Sequence, residues 1–319
     1  MIVDPGRAPV SGKGGVQTRR LSVAGGLTQF GAYEETLQPG AFSSQRHWHE
    51  AEDEFLFVLE GTATVIDGDG AQALGPADAA CWRHGDPNAH HVTNRSDAAC
   101  RYLIVGSRVA GDVCHYPDSG QRQVNAATTW AVFNDTGAVD RAGDLPPELL
   151  NLPQPWGTPF DGTRIRRILR AKERVWVKEG PFIHPILHAV LGPYSHVRLS
   201  DAGGLTQFGA HLEQLPPGSD SSFRHWHETE DELVYILSGT PTLIEDSTTL
   251  LQPGDMVCWP AGQPVGHCLV NRSDIPALYL TIGTRLPRDR IHYPDHDLIS
   301  EKTGTARRNL HADGRERSL

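Results

Sequence analysis

A seven-residue string occurs twice: Gly25-Gly26-Leu27-Thr28-Gln29-Phe30-Gly31 returns as Gly203-Gly204-Leu205-Thr206-Gln207-Phe208-Gly209, displaced by 178 positions. The displacement persists, carrying Arg46-His47-Trp48-His49-Glu50 onto Arg224-His225-Trp226-His227-Glu228 and Gly61 onto Gly239. A one-residue deletion then shifts the register to 177, under which Cys81-Trp82 maps onto Cys258-Trp259, Asn94-Arg95-Ser96-Asp97 onto Asn271-Arg272-Ser273-Asp274, and His115-Tyr116-Pro117-Asp118 onto His292-Tyr293-Pro294-Asp295. A period this long describes two whole domains rather than a solenoid. The copies match best over 20–118 and 197–295.

Two domains also suit the length, because a chain of 319 residues exceeds what one hydrophobic core usually serves. Within each copy the apolar segments are short and bounded by turn residues: Phe55-Leu56-Phe57-Val58-Leu59 before Gly61, Thr62-Ala63-Thr64-Val65-Ile66 before Asp67-Gly68, and Tyr102-Leu103-Ile104-Val105 before Gly106. With 33 Gly and 23 Pro to break helices, these read as strands, and the fold class is all-β, a sandwich or barrel in each half. The expected layout is a barrel over 1–118, an irregular connector with one short helix over 119–163, a second barrel over 164–299 and a loose polar tail over 300–319. His115-Tyr116-Pro117-Asp118 and its copy are expected to mark the turn that ends each barrel.

Composition removes several classes of function. A formal net charge of -10, with no Lys/Arg cluster, leaves no basic face for a phosphate backbone, so no nucleic-acid partner is expected. The first residues lack a cationic start and an apolar core, and no run of about 18 apolar residues occurs, so neither a signal peptide nor a membrane span is expected and the cytoplasm is the expected location. The five cysteines, Cys81, Cys100, Cys114, Cys258 and Cys268, are odd in number and form no CxxC pair; they read as buried thiols.

The chemistry-bearing residues lie in the repeat. His47 and His49 are two apart, so on a strand their imidazoles share one face and Trp48 takes the other. Glu54 follows at the wrong parity for the same straight strand, so 50–53 must turn or bulge to bring its carboxylate back. A third imidazole, His90, must come from a later strand crossing beside the first. The second copy repeats the set as His225, His227, Glu232 and His267. Trp48, Trp82, Trp226 and Trp259 read as packing, and His84, His91, His115 and His292 as structural.

The run His47-x-His49-x4-Glu54-x6-Gly61, followed by Gly75 to Gly85 and His90-x3-Asn94, resembles both signature motifs of the cupin superfamily, and so does His225-x-His227-x4-Glu232-x6-Gly239 with Gly254-Asp255, Pro260-x-Gly262 and His267-x3-Asn271. The resemblance covers about 100 residues of each half. It implies two tandem jelly-roll barrels packed face to face, each holding one divalent metal through three His and one Glu, and it allows a homodimer. The first copy departs where Arg83-His84-Gly85 replaces Pro-x-Gly and Gly75-Pro76 replaces Gly-Asp, so its turn before His90 is expected to differ in shape. Between copies His91 becomes Cys268, Glu60 becomes Ser238 and Phe57 becomes Tyr235.

Three neutral imidazoles and one carboxylate suit iron, manganese, nickel, zinc or copper. Four protein ligands leave open positions on a metal that accepts six, as a catalytic site requires. The leading expectation is a metal-dependent enzyme, an iron dioxygenase acting on a small organic acid or polar metabolite. Two alternatives stay open: a redox-neutral isomerase, lyase or decarboxylase, and a non-catalytic binder of small ligands.

Overall fold

A computed structural model describes residues 2–3, 6, 8–163 and 165–317. The architecture is two β-barrels in tandem, each built on a seven-stranded antiparallel sheet. In the first barrel the central strands are Phe30–Leu37, Cys100–Ser107, Glu54–Glu60 and Ala79–Trp82; in the second they are Phe208–Leu215, Ala277–Thr284, Glu232–Ser238 and Met256–Trp259. Smaller sheets close each barrel, one of them carrying Trp48–His49 or Trp226–His227.

The run Phe55-Leu56-Phe57-Val58 is apolar on both faces for a physical reason. Successive side chains point to opposite sides of a sheet. Leu56 and Val58 pack inside the first barrel with Leu37, Ala80 and Tyr102. Phe55 and Phe57 face outward into a core shared with the other barrel, where they join Phe30, Leu199, Phe208, Leu233 and Leu280. The barrels therefore pack face to face through their large sheets, with the Phe30 and Phe208 rings 6.4 Å apart.

Each half also contributes an edge strand to the other. Ile2–Val3 pairs with Met256 and Val257 of the second barrel, and Ile168–Leu169 pairs with Ala79 and Ala80 of the first. The expected division of the chain changes accordingly: the segment just before each barrel belongs to its neighbour's sheet. The expected boundary at 164 itself lies outside the described residues.

The repeated Gly-Gly-Leu-Thr-Gln-Phe-Gly string sits at this interface. A Cβ on Gly25 would collide with Cys258, and one on Gly203 with Cys81, so both positions require glycine at a close approach of the two barrels.

Two regions expected to be irregular are strands. Residues of the connector form Gln121–Asn125, Thr129–Phe133 and Val139–Asp144, three antiparallel strands that extend the sheet carrying Trp48–His49; only Pro147–Leu149 is helical. The expected tail forms the hairpin Leu298–Thr303 with Ala306–Leu310, which extends the matching sheet of the second barrel. Tyr116 and Tyr293 therefore precede hairpin turns within sheets that continue, and do not end the barrels. No helix among the described residues is long and apolar enough to cross a membrane.

Candidate metal centres

His47 and His90 face each other as a hydrogen-bonded antiparallel pair, His47 N to His90 O 3.0 Å and His90 N to His47 O 2.9 Å. His225 and His267 repeat the pairing at 3.2 and 3.0 Å. Residues 50–53 carry the chain from the strand of His49 into the strand that begins at Glu54 in the large sheet, which answers the parity problem by changing sheets. All four expected ligands of each half converge. Glu54 Oε2 lies 3.7, 3.9 and 2.9 Å from the Nε2 atoms of His47, His49 and His90. Glu232 Oε2 lies 3.9, 3.8 and 3.1 Å from those of His225, His227 and His267.

The residues fit a divalent ion. Glu54 Oε2 is buried and has no hydrogen bond of acceptable geometry despite the nearby His90. Nδ1 of His47 lies 2.9 Å from the Gln45 carbonyl, and Nδ1 of His225 lies 2.9 Å from the Phe223 carbonyl. A donated Nδ1–H in that contact leaves the Nε2 lone pair for the centre. Burial pushes both His90 and His225 down to about 4, so both imidazoles are neutral at neutral pH, as metal ligation would require. Burial works against ionisation of Glu54 and Glu232 as well, yet the surrounding imidazoles hold both carboxyls below their ordinary range.

Spacing did not find the groups that orient the second imidazole of each set. Asp112 Oδ2 is 2.6 Å from His49 Nδ1, and Asp112 Oδ1 accepts from Ala51 N at 2.9 Å. Asp289 does the same for His227 at 2.6 Å and accepts from Thr229 N at 2.9 Å. Burial opposes the charged form of His49, but Asp112, Cys114 and Glu54 together outweigh it and raise His49 well above its usual range. The available signal was an Asp at the same repeat position in both halves.

The expected packing roles hold in part. Trp82 and Trp259 are buried and stack on His90 and His267 at 3.8 and 3.7 Å. Trp48 and Trp226 stack away from the centres on His115 and His292, whose Nε2 atoms lie 2.7 Å from Glu50 and Glu228. His84 is structural, its Nδ1 being 2.6 Å from Asp53.

The turn at Gly85 matches its copy, but the stretch from there to His90 differs: Ala89 N bonds Pro87 O in the first barrel, whereas Val265, the counterpart of Asn88, bonds Gln263 O in the second. Gly85 and Gly262 have φ of 77° and 76°, and their N–H groups bond His49 O and His227 O. The Gly-Asp match also shifts: Ala77-Asp78, not Gly75-Pro76, occupies the position of Gly254-Asp255, with Ala77 at φ 66° and Gly254 at φ 93°.

Each ligand set borders an inner cavity, about 210 Å³ in the first barrel and 150 Å³ in the second. Each cavity also holds a carboxyl that is not a ligand. Glu35 accepts from Tyr102 OH at 2.6 Å and Thr18 Oγ1 at 3.1 Å, and burial raises its pKa. Burial pushes Glu213 up to about 7.

Comparison with known proteins agrees with the duplication. A cupin domain family profile matches residues 33–106 and again 211–283. No curated protein sequence matches the chain. Among solved structures, a sugar phosphate isomerase from a cupin superfamily of Silicibacter pomeroyi is 34% identical, covering 49% of this chain and 98% of its own, with a TM-score of 0.43. The oxalate decarboxylase of Bacillus subtilis is 17% identical over 88% of this chain and 75% of its own, with a TM-score of 0.52. A putative glyoxylate induced protein from Pseudomonas aeruginosa is 15% identical over 86% of this chain and 82% of its own, with a TM-score of 0.54. The last two share the two-barrel fold.

Proposed function

The chain belongs to the cupin superfamily as a two-domain member, and on that premise we propose that it is a metal-dependent enzyme performing redox-neutral proton-transfer chemistry, an isomerisation, lyase reaction or decarboxylation, on a small polar metabolite. His47, His49, Glu54 and His90 would hold one metal, and His225, His227, Glu232 and His267 the other. A divalent ion there supplies Lewis acidity toward a carbonyl or carboxylate oxygen.

One observation carries the choice of proton transfer. In both barrels a half-buried carboxyl that is not needed as a ligand shares the cavity with the ligand set, Glu35 in one and Glu213 in the other. A carboxyl raised to about 7 holds a proton near neutrality and can both give and take it, the condition a general acid or base has to meet. Tyr102 holds Glu35 in place through its hydroxyl, and Trp82 and Trp259 close one wall of their cavities against water.

The test is anaerobic. Metal-loaded protein, incubated in deuterium oxide with panels of hydroxy acids, keto acids and sugar phosphates, should exchange a substrate C–H, and Glu213→Gln together with Glu35→Gln should abolish the exchange. Turnover that strictly consumes dioxygen would contradict this reading. It would favour the second, iron-dependent dioxygenation, which rests on the donor set of three imidazoles and one carboxylate with no thiolate among the four.

A further inference from the structure

The two barrels differ in how one cavity is charged. In the first, a cavity of about 190 Å³ on the His49 side of the ligand set is lined by His49, Glu52, Glu54, Arg108, Asn125 and Leu149, among others. It shares Tyr33, Glu54 and Ile104 with the inner cavity, so the two meet at a ligand of the centre.

Arg108 is 3% exposed. Its guanidinium donates to Leu27 O at 3.1 Å, Ser22 Oγ at 3.2 Å and Tyr33 OH at 3.2 Å, all neutral acceptors. Its Nε is buried without an acceptor, and no carboxylate among the described residues lies at ion-pair distance. Glu52 lines the same cavity but takes the N–H of Val109 at 3.0 Å instead. Arginine stays charged in proteins, and a buried charge lacking a counter-ion costs several kcal/mol, on the order of the idealised penalty reduced by relaxation.

The second barrel neutralises the same positions from within. Arg285, 177 residues after Arg108, pairs with Asp201 at 2.6 Å, and Asp201 stands where the first half has Val23. Glu230, the counterpart of Glu52, pairs with Lys302, which lies opposite Asp289 as Asn125 lies opposite Asp112. Among the described residues both counter-charges are thus missing from the first half alone, and both gaps adjoin one cavity beside a ligand set.

We propose that the first-barrel cavity binds a small oxyanion-bearing molecule, a carboxylate or phosphate monoester, with its anionic group on Arg108 and the remainder toward His49 and Glu54. The second barrel has no such site. The proposal deepens the enzymatic reading, since the bound molecule reaches the first ligand set, but the anion site itself depends only on Arg108. The volume is below the roughly 300 Å³ at which pockets for drug-sized ligands begin, which selects a small ligand.

Calorimetric titration of the full chain with malonate, then with inorganic phosphate, tests it on metal-loaded and metal-stripped protein. One anion per chain is expected, weakened at least tenfold by Arg108→Met and by Val23→Asp, and changed less than twofold by Arg285→Met. Val23→Asp leaves Arg108 in place and installs the counter-ion found in the other half, so it reads the charge even where Arg108→Met fails to fold. One-site binding that Val23→Asp removes from metal-stripped protein upholds the anion site even if the metal-dependent reading fails. Binding unaffected by Val23→Asp, equal loss in Arg285→Met, or no binding of either anion overturns it.

Discussion

The carboxylate of Asp53 accepts the backbone N–H of Gln207 at 2.9 Å, a bond that reaches from one barrel to the other. Asp53 also accepts from Thr206 N at 2.6 Å and from His84 N at 2.8 Å. Asp231 is held reciprocally by Thr28 N and Gln29 N at 2.7 and 2.8 Å. Each Asp directly precedes the Glu of a ligand set, so the string repeated in the sequence locks the base of each centre from the opposite half. Removing Asp53 would leave three backbone donors unpaired, two of them buried and that of Thr206 half-buried. Asp53→Ala should therefore lower stability by about 3 kcal/mol or more, at roughly 1–3 kcal/mol for each donor left without a partner. Because the core is shared, urea unfolding should remain one transition followed by both fluorescence and circular dichroism; two separated transitions would contradict the lock.

Asp112 and Asp289 orient one imidazole each, and such partners of ligating histidines are typically worth about 10–100-fold in metal affinity. Asp112→Ala should weaken metal binding by that factor at the first centre and leave the second within twofold. Competition against a chromophoric chelator resolves the two sites, and Asp289→Ala should give the mirror result.

Glu213 supplies a pH dependence with a definite sign. Burial raises it from 4.5 to about 7, so the folded chain holds a proton that the unfolded chain has released across that interval. Stability contributed by this group is thus fully present below pH 4.5, falls as pH rises toward 7 and is level above it. The effect is at most about 3 kcal/mol. The difference in unfolding free energy between metal-free wild type and Glu213→Gln, measured from pH 4.5 to 8, should show that slope; a flat difference would contradict it.

Ala77 adopts φ 66°, the left-handed region in which a Cβ costs roughly 1–2 kcal/mol, where the second barrel places Gly254. Ala77→Gly should stabilise the protein by about 1 kcal/mol, the relief of strain being partly offset by added freedom in the unfolded chain. A shift in the urea midpoint without a change in slope is the readout.

The duplication, the all-β class and the eight converging side chains were legible because each rests on local spacing: short apolar runs, two-residue parity and a repeated register. The strands 121–144 were not, since a sheet extension facing water needs no apolar alternation; Arg122, Asp140 and Arg141 are all exposed. Two-residue edge strands such as Ile168–Leu169 leave too short a pattern to read. Asp112, Asp289 and Arg108 act through partners distant in sequence, and only the folded chain shows which of them are paired.

The central claim is that each half holds one metal through its own His, His, Glu and His. Elemental analysis of untagged protein, per chain, tests it most directly, alongside His47→Ala and His225→Ala. Two divalent transition-metal ions in the wild type and one in each variant is the predicted result. No metal in the wild type, or loss of both ions on a single substitution, would contradict it.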